Sequence, residues 1–257
     1  MKLEDRLVFA CDATSVRGEI GDISKAEELI AMMGGKVGWV KLNSAFISGG
    51  HELAEMVVGK GSHLWLDLKW HDVPDTLKNY VVEGVRGLAS ADMFNVHASG
   101  GFKMMRAVKD KLDELFSHPD QQLTRPLVIA ITVLTSLDQV QFEQIGGTGA
   151  IAEQVMRLAR LTKEAGLDGV VASPLEAKML RQELGPDFLI VTPGIRFAEE
   201  AKGGQARVTT PKEAIIAGAD MIVMGTSLIR GGLTAVERAY AEIEEGLEDR
   251  AKEINLT

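Results

Sequence analysis

Residues 63–76, HLWLDLKWHDVPDT, carry an apolar strand that runs directly into a charged segment. Three leucines alternate with Trp65, Asp67 and Lys69. A strand here would therefore place the leucines on one face, toward a helix layer, and the other three side chains on the opposite face. Charged groups are costly to bury unless they are paired. Asp67 and Lys69 thus mark either the solvated edge of a loop or a functional site.

Short apolar runs rich in β-branched residues recur along the whole chain. Each run is nearly continuously apolar rather than alternating, which is typical of a strand covered on both faces. The pattern predicts eight strands, over residues 7–11, 37–42, 63–68, 93–97, 127–134, 169–172, 188–192 and 221–224.

Helical patterns lie between most of these runs. Capping boxes, in which a serine or threonine precedes a glutamate by three residues, predict helix starts at Ser24, Ser173 and Thr210. Glycines predict helix ends at Gly166 and Gly218. Residues 137–165 are less regular, and the pattern there predicts a loop plus one helix.

Strands and helices that alternate eight times in about 250 residues indicate a TIM (β/α)8 barrel, an α/β fold. We expect one barrel domain spanning residues 1–257. The alternative is a doubly wound open sheet, but eight units is the number at which a barrel closes. In such a barrel the functional site lies at the carboxyl ends of the strands.

Composition narrows the classes of partner. The net charge of −9 argues against nucleic acid and anionic membranes as partners, because phosphate backbones require a basic face. A small anionic substrate needs only a local positive pocket. Cys11 is the single cysteine, so no intrachain disulfide is possible and a reducing cytoplasm fits. The sequence contains no signal peptide pattern and no run near the ~18 apolar residues of a membrane helix.

Polar residues collect where the predicted strands end, as the barrel interpretation requires. Loops are polar in general, which accounts for the serines and threonines but explains the charged residues poorly. In strand order the residues are Asp12, Lys41, Asn43, Asp67, Lys69, Asn95, His97, Thr132, Thr135, Ser173, Thr192, Arg196, Gly225 and Thr226.

The charged residues among them suggest specific chemistry. Lys41 should lie beside Asp67 on the neighbouring strand, and Asp72 could pair with Lys69 or reach a second subunit. In a Lys–Asp–Lys–Asp row, each carboxylate raises the pKa of its lysine partners and each lysine lowers the pKa of its carboxylates. A lysine that stays protonated suits a general acid and disfavours a Schiff-base nucleophile. The structural alternative is an ion-pair network that only stabilises the fold.

Asp-x-Lys-x-x-Asp followed by Val-Pro-x-Thr resembles the orotidine 5′-phosphate decarboxylase family. The resemblance covers nearly the whole chain, since ACDAT, VKLN, DLKWHDVPDT, NVHASGG, TVLTS, DGVVASP, VTPGIR and GGQARVTTP occur in the family's order and spacing. It implies a cofactor-free and metal-free enzyme that converts orotidine 5′-phosphate to uridine 5′-phosphate in pyrimidine biosynthesis. It also implies a homodimer with shared active sites.

The resemblance assigns a role to each matching residue. Lys69 would donate a proton to C6 of the pyrimidine, and Asp67 would face the substrate carboxylate. Lys41 would bridge Asp67 and the ribose. Further contacts would come from Asp72 and Thr76 of the second subunit, from Asp12 at the ribose, from Thr135 at the base, and from Arg196, Gln205 and Gly225 at the phosphate.

The sequence departs from the family pattern at the phosphate end. The family has Gly-Arg after the last strand, whereas this chain has Gly225-Thr226, so a bidentate cationic contact is lost. Arg230, four residues further on, is a candidate substitute, and Asn43 also differs from the family pattern. Two alternatives stay open: a Mg²⁺-dependent sugar-phosphate decarboxylase or isomerase on the same barrel, and a phosphate-binding barrel without catalysis.

Overall fold

The computed structural model describes residues 1–12, 23–87, 91–117, 124–200 and 209–255. Within them, eight parallel strands pair in chain order, and the last pairs with the first to close a barrel. This confirms the predicted TIM barrel and excludes the open sheet. The strands are β1 (Leu7–Cys11), β2 (Trp39–Leu42), β3 (His63–Trp70), β4 (Ala91–His97), β5 (Leu127–Ile131), β6 (Gly169–Val171), β7 (Leu189–Thr192) and β8 (Met221–Met224).

Helices follow the strands and form the outer layer. They are α1 (Ser24–Met33), α2 (Ser44–Gly59), α3 (Pro74–Gly87), α4 (Gly101–Leu115), α5 (Gln139–Gln144), α6 (Ile151–Glu164), α7 (Ala177–Leu184), α8 (Pro211–Ile216) and α9 (Thr226–Asn255). The prediction for residues 137–165 missed α5. Its six residues are too few to show a helical period, although the side chain of Asp138 caps its first turn. No helix in the described ranges is long and apolar enough to cross a membrane.

Local signals located several helix ends correctly. The Thr210 side chain accepts a hydrogen bond from the N–H of Glu213, as predicted for a capping box. Gly166 and Gly218 follow their helices with φ of 83° and 112°, a region that favours glycine. The predicted start at Ser173 was wrong by four residues, because the i+3 hydrogen bond from the N–H of Glu176 to the Ser173 carbonyl makes a turn before α7 begins.

The boundary differences that bear on the site concern the carboxyl ends of β3 and β5. β3 continues to Trp70, two residues beyond the prediction, because Trp70 still pairs with Val96 of β4. β5 ends at Ile131 rather than at Leu134. The chain turns there, and the N–H of Leu137 donates to the carbonyl of Leu134 over 3.0 Å. Because β5 ends early, residues within 132–137 lie outside the strand and line cavities.

The core has an inner and an outer layer, as the alternation in residues 63–76 predicted. Trp65 packs inside the barrel with Val8, Met93 and Ile129. Leu64, Leu66 and Leu68 pack outside it, against the helices. The period of two thus points Asp67, like Trp65, toward the barrel axis.

Candidate functional site

The carboxyl end of β3 contains a local irregularity centred on Lys69. Between the pairs Leu66–Phe94 and Trp70–Val96, β3 advances four residues while β4 advances two. Lys69 lies within this bulge and has a φ of 53°, the only positive value among the described residues other than glycine. Such a conformation costs a residue with a Cβ atom about 1–2 kcal/mol. Strained backbone of this kind often marks functional sites.

Hydrogen bonds hold the bulge in place. The backbone N–H of Lys69 donates to Oδ1 of Asn95 over 2.8 Å instead of joining the strand ladder. The Lys69 ammonium then folds back, with Nζ 2.7 Å from Oδ1 of Asp67. The bulge therefore fixes the ammonium beside the carboxylate at the barrel mouth.

Asp67 is the centre of a buried polar cluster. Its side chain receives Nζ of Lys41 at 2.8 Å on Oδ2 and Nδ2 of Asn95 at 2.5 Å on Oδ1. Nδ2 of Asn43 approaches Oδ2 at 3.5 Å. Asp67 is 6% exposed and Lys41 is 7% exposed. With two ammonium groups and two amides around one carboxylate, both oxygens of Asp67 are fixed in position.

The electrostatics of Asp67 follow from these contacts. Burial acts to raise its pKa, but the nearby ammonium groups of Lys41 and Lys69 outweigh it, and the pKa lies below its ordinary value. This confirms the predicted direction for the carboxylate. Asp67 is therefore ionised at neutral pH.

The cluster lies at the base of a cavity of about 390 Å³ at the carboxyl ends of the strands. The predicted residues that line this cavity are Asp12, Lys41, Asp67, Lys69, Thr135, Arg196, Gly225 and Thr226. The apolar part of the wall includes Trp65, Val133 and Ile195. A pocket with an apolar wall and a few convergent polar groups is the usual form of a small-molecule site.

Two predicted residues are not at the cavity of their own chain. Asp72 and Thr76 are absent from its wall. The Asp72 carboxylate instead accepts the N–H of Val73 at 2.7 Å and the hydroxyl of Tyr80 at 3.1 Å. Pairing of Asp72 with Lys69 inside one chain does not occur in this structure, and a role in a second subunit stays a prediction. Gln205 lies outside the described residues.

The end of the cavity at β7 and β8 carries little positive charge. Arg196 lines it and makes no ion pair with another described residue, while Thr226 on the same wall is neutral. Arg230 does not line the cavity. It lies in a neighbouring groove together with Arg238. The structure thus gives no support to Arg230 as a substitute for the missing arginine.

Three polar site residues, Asn43, Asn95 and Ser227, were not among the predicted contacts. Asn95 was recognised only as polar and near a strand end, although it bonds both Asp67 and the Lys69 backbone. Ser227 lines the cavity but is not among the residues to which the resemblance assigns a role. Its position just after β8 was the available signal. The contacts of Asn95 and Ser227 depend on neighbouring elements that are distant in sequence.

His97 and Cys11 are buried or partly buried groups to which the site assigns no role. His97 is partly buried, and burial followed by the nearby His71 and Lys69 lowers its pKa, which favours a neutral ring. Cys11 is buried in β1, and burial raises the pKa of its thiol to about 12. Within the described ranges, no three His, Cys, Asp or Glu side chains are grouped as a metal site requires.

Comparison with known proteins gives a consistent result. Residues 5–240 match the family described as orotidine 5′-phosphate decarboxylase / HUMPS. The orotidine 5′-phosphate decarboxylase of Syntrophotalea carbinolica is 37% identical over 248 residues, 94% of this chain and 97% of that protein. That of Idiomarina loihiensis is 42% identical over 201 residues, 78% of this chain and 83% of that protein.

Solved structures agree with the sequence comparison. The crystal structure of orotidine 5′-phosphate decarboxylase from Lactobacillus acidophilus superposes with a TM-score of 0.74 at 32% sequence identity. The superposition covers 92% of this chain and 98% of that one. The likeness therefore extends over nearly the whole barrel.

Proposed function

The chain belongs to the orotidine 5′-phosphate decarboxylase / HUMPS family, and from that premise we propose that it converts orotidine 5′-phosphate to uridine 5′-phosphate and CO₂. The observation that carries the proposal is the Lys41–Asp67–Lys69 cluster at the base of the cavity. It presents a fixed ammonium beside a buried carboxylate. Because its product is a pyrimidine nucleotide, we propose that the reaction belongs to pyrimidine biosynthesis, and the single cysteine, Cys11, fits a reducing cytoplasm.

Lys69 has the central role in the proposed mechanism. Breaking the bond between C6 and the carboxyl carbon releases CO₂ and leaves an electron pair on C6. The Lys69 ammonium stabilises that developing charge and transfers a proton to C6. A neutral amine remains, which solvent reprotonates. Because Asp67 and Asn95 hold Lys69 before substrate arrives, little reorganisation is needed during the reaction.

Asp67 and Lys41 complete the reacting end of the site. Asp67 would face the substrate carboxylate, where like charge disfavours the bound ground state. Lys41 keeps Asp67 ionised and would reach the ribose hydroxyls. Binding energy from the distant phosphate can offset the unfavourable contact at the carboxylate.

The other contacts bind and orient the substrate. Asp12 would hold a ribose hydroxyl, and Thr135 would line the base pocket. Arg196, Gly225 and Thr226 would bind the phosphate, with Gln205 as a further contact. The described members of this set line the same cavity, which supports their assignment to one ligand.

We further propose that the active unit is a homodimer in which Asp72 and Thr76 complete the site of the partner. Within one chain Asp72 does not line the cavity, and two contacts fix its carboxylate. Two apolar residues beside it are exposed, since Val73 is 61% exposed and Tyr80 is 38% exposed. A fixed, exposed carboxylate next to exposed apolar side chains fits delivery to a second subunit.

Mixing two inactive variants tests the shared site. Asp72→Asn chains lack the donated carboxylate, and Lys69→Ala chains lack the proton donor. In a mixed dimer, one of the two sites regains both groups. We expect about a quarter of wild-type activity at equal mixing, because random pairing makes half the dimers mixed and each has one intact site. No recovery, with mixed dimers demonstrated by mass, would contradict a shared site.

A direct assay separates the proposal from its alternatives. We expect the ultraviolet absorbance of orotidine 5′-phosphate to fall on addition of the protein, at the same rate with and without EDTA. A Mg²⁺-dependent sugar-phosphate enzyme would lose its activity in EDTA, and Lys41 would repel a metal ion at its position. The absence of any absorbance change would favour another substrate or a barrel that only binds phosphate.

A further inference from the structure

A carboxylate that the proposed function does not use lies behind the phosphate end of the cavity, in the neighbouring groove. Glu200 ends a short 3-10 helix, Ala198–Glu200, that follows β7. Its Oε2 accepts the hydroxyl of Ser227 at 2.5 Å. Ser227 is 3% exposed and lines both the main cavity and the groove beside it. The contact therefore lies in the wall between the two.

This carboxylate changes the charge that a phosphate would meet. Arg196 is the cationic side chain that the described wall offers at this end, since Thr226 is neutral. The negative charge of Glu200, which contacts Ser227, offsets the positive charge of Arg196. A phosphate group with a charge near −2 would thus approach one cation and one anion.

The contact also occupies a hydrogen-bond donor. The Ser227 hydroxyl has one proton, and that proton is directed to Glu200. A phosphate oxygen that approached Ser227 would compete with the carboxylate for it. Repulsion and the lost donor act in the same direction, since both weaken binding of an anion at this end.

We propose that Glu200 is a specificity-determining residue that weakens the hold of the site on the 5′-phosphate. The inference rests on the proposed function, because it takes this end of the cavity as the phosphate end. Phosphate binding would be weak enough for rapid product release, while the groups that act on C6 are untouched. A ligand without phosphate would not be affected by Glu200.

Glu199 supplies a matched control. It precedes Glu200 and has the same charge, but its carboxylate forms a bidentate ion pair with the Arg238 guanidinium in the neighbouring groove. That guanidinium lies 4.0 Å from the ring centre of Phe197. Removing Glu199 therefore changes the net charge by the same amount, yet leaves the hydrogen bond between Ser227 and Glu200 in place.

The test compares Glu200→Gln and Glu199→Gln with the wild type by titration calorimetry, using uridine 5′-phosphate and uridine. Glutamine can still accept the Ser227 hydroxyl, so the fold is preserved while the charge is removed. We expect Glu200→Gln to bind uridine 5′-phosphate about five- to tenfold more tightly, as expected for loss of one repulsive charge. We expect its uridine affinity to be unchanged and Glu199→Gln to match the wild type.

Several results would overturn the inference. They are an unchanged or weaker affinity of Glu200→Gln for uridine 5′-phosphate, an equal gain for uridine, an equal gain in Glu199→Gln, and no binding of uridine 5′-phosphate by any form. The absorbance assay with orotidine 5′-phosphate tests the proposed function separately. A protein that binds uridine 5′-phosphate as expected but does not decarboxylate would refute the function and leave the role of Glu200 supported.

Discussion

Lys69→Ala is expected to lower kcat for orotidine 5′-phosphate by at least about 10⁴-fold. Loss of a general acid costs about 10²–10⁴-fold, and loss of a fixed group that stabilises developing charge costs about 10²–10³-fold. Lys69 would supply both, because its ammonium lies beside Asp67 at the cavity base. Single-turnover measurements of the absorbance change would give the rate of the chemical step.

The loss of activity should not reflect unfolding. Asp67 keeps Lys41 and Asn95 as partners in Lys69→Ala, so no buried carboxylate is left without a counter-charge. Lys69→Gly is the matched variant. Glycine accepts a φ of 53° without strain, and we expect this variant to be about 1 kcal/mol more stable than Lys69→Ala and equally inactive.

Urea denaturation and circular dichroism would check both variants. A kcat within tenfold of wild type in Lys69→Ala would refute the role of Lys69 as proton donor. If Lys69→Gly were less stable than Lys69→Ala, the strain assigned to the bulge would be wrong, although the catalytic role would be unaffected.

Asp67→Ala is expected to reduce the free energy of unfolding by about 3–5 kcal/mol, the usual cost of removing one partner of a buried ion pair. Lys41 is 7% exposed and would be left as a buried charge without its carboxylate. Activity should also fall sharply, since Lys69 would lose the group that holds its ammonium. Urea denaturation at pH 7 measures the first effect and the absorbance assay the second.

A second substitution tests whether the unpaired Lys41 ammonium causes the loss of stability in Asp67→Ala. The double variant Lys41→Met, Asp67→Ala has no unpaired Lys41 ammonium, and we expect it to recover part of the lost stability. Glu28→Ala is the surface control, because Glu28 pairs with Lys25 in an exposed position and should cost less than about 1 kcal/mol. Equal stability of the single and double variants would show that Lys41 is not the source of the loss.

The contribution of Asp67 to the free energy of unfolding should decrease as the pH is lowered into the acid range. Its pKa is below the ordinary value in the folded protein, so ionised Asp67 stabilises the fold at neutral pH. That contribution is lost as the pH falls through the folded pKa. The stability difference between wild type and Asp67→Ala should therefore be constant near neutrality and shrink in strong acid.

Much of the fold could be predicted because it depends on patterns of residues that are close together in the sequence. Strands covered on both faces read as continuous apolar runs, and alternation within β3 assigned Trp65 and Asp67 to the inner face and the leucines to the outer face. The Thr210 capping box and the glycine at Gly166 also act within one turn. Prediction was poorest at strand and helix ends, where a few residues can either continue the element or form a turn, as at Ser173.

The sequence by itself determined the eight-stranded barrel and the lysines and aspartates at its mouth, because periodicity and strand order bring these residues to one end. The strand order also placed Lys41 beside Asp67, but only the tertiary structure decided the other contacts. Asn95 reaches Asp67 and Lys69 because β4 is held in register against a bulge in β3. Asp72 does not line its own cavity and instead contacts Val73 and Tyr80. Ser227 bonds Glu200 across 27 residues. The Asn95 and Ser227 contacts depend on how elements distant in sequence pack together, and no local pattern encodes them.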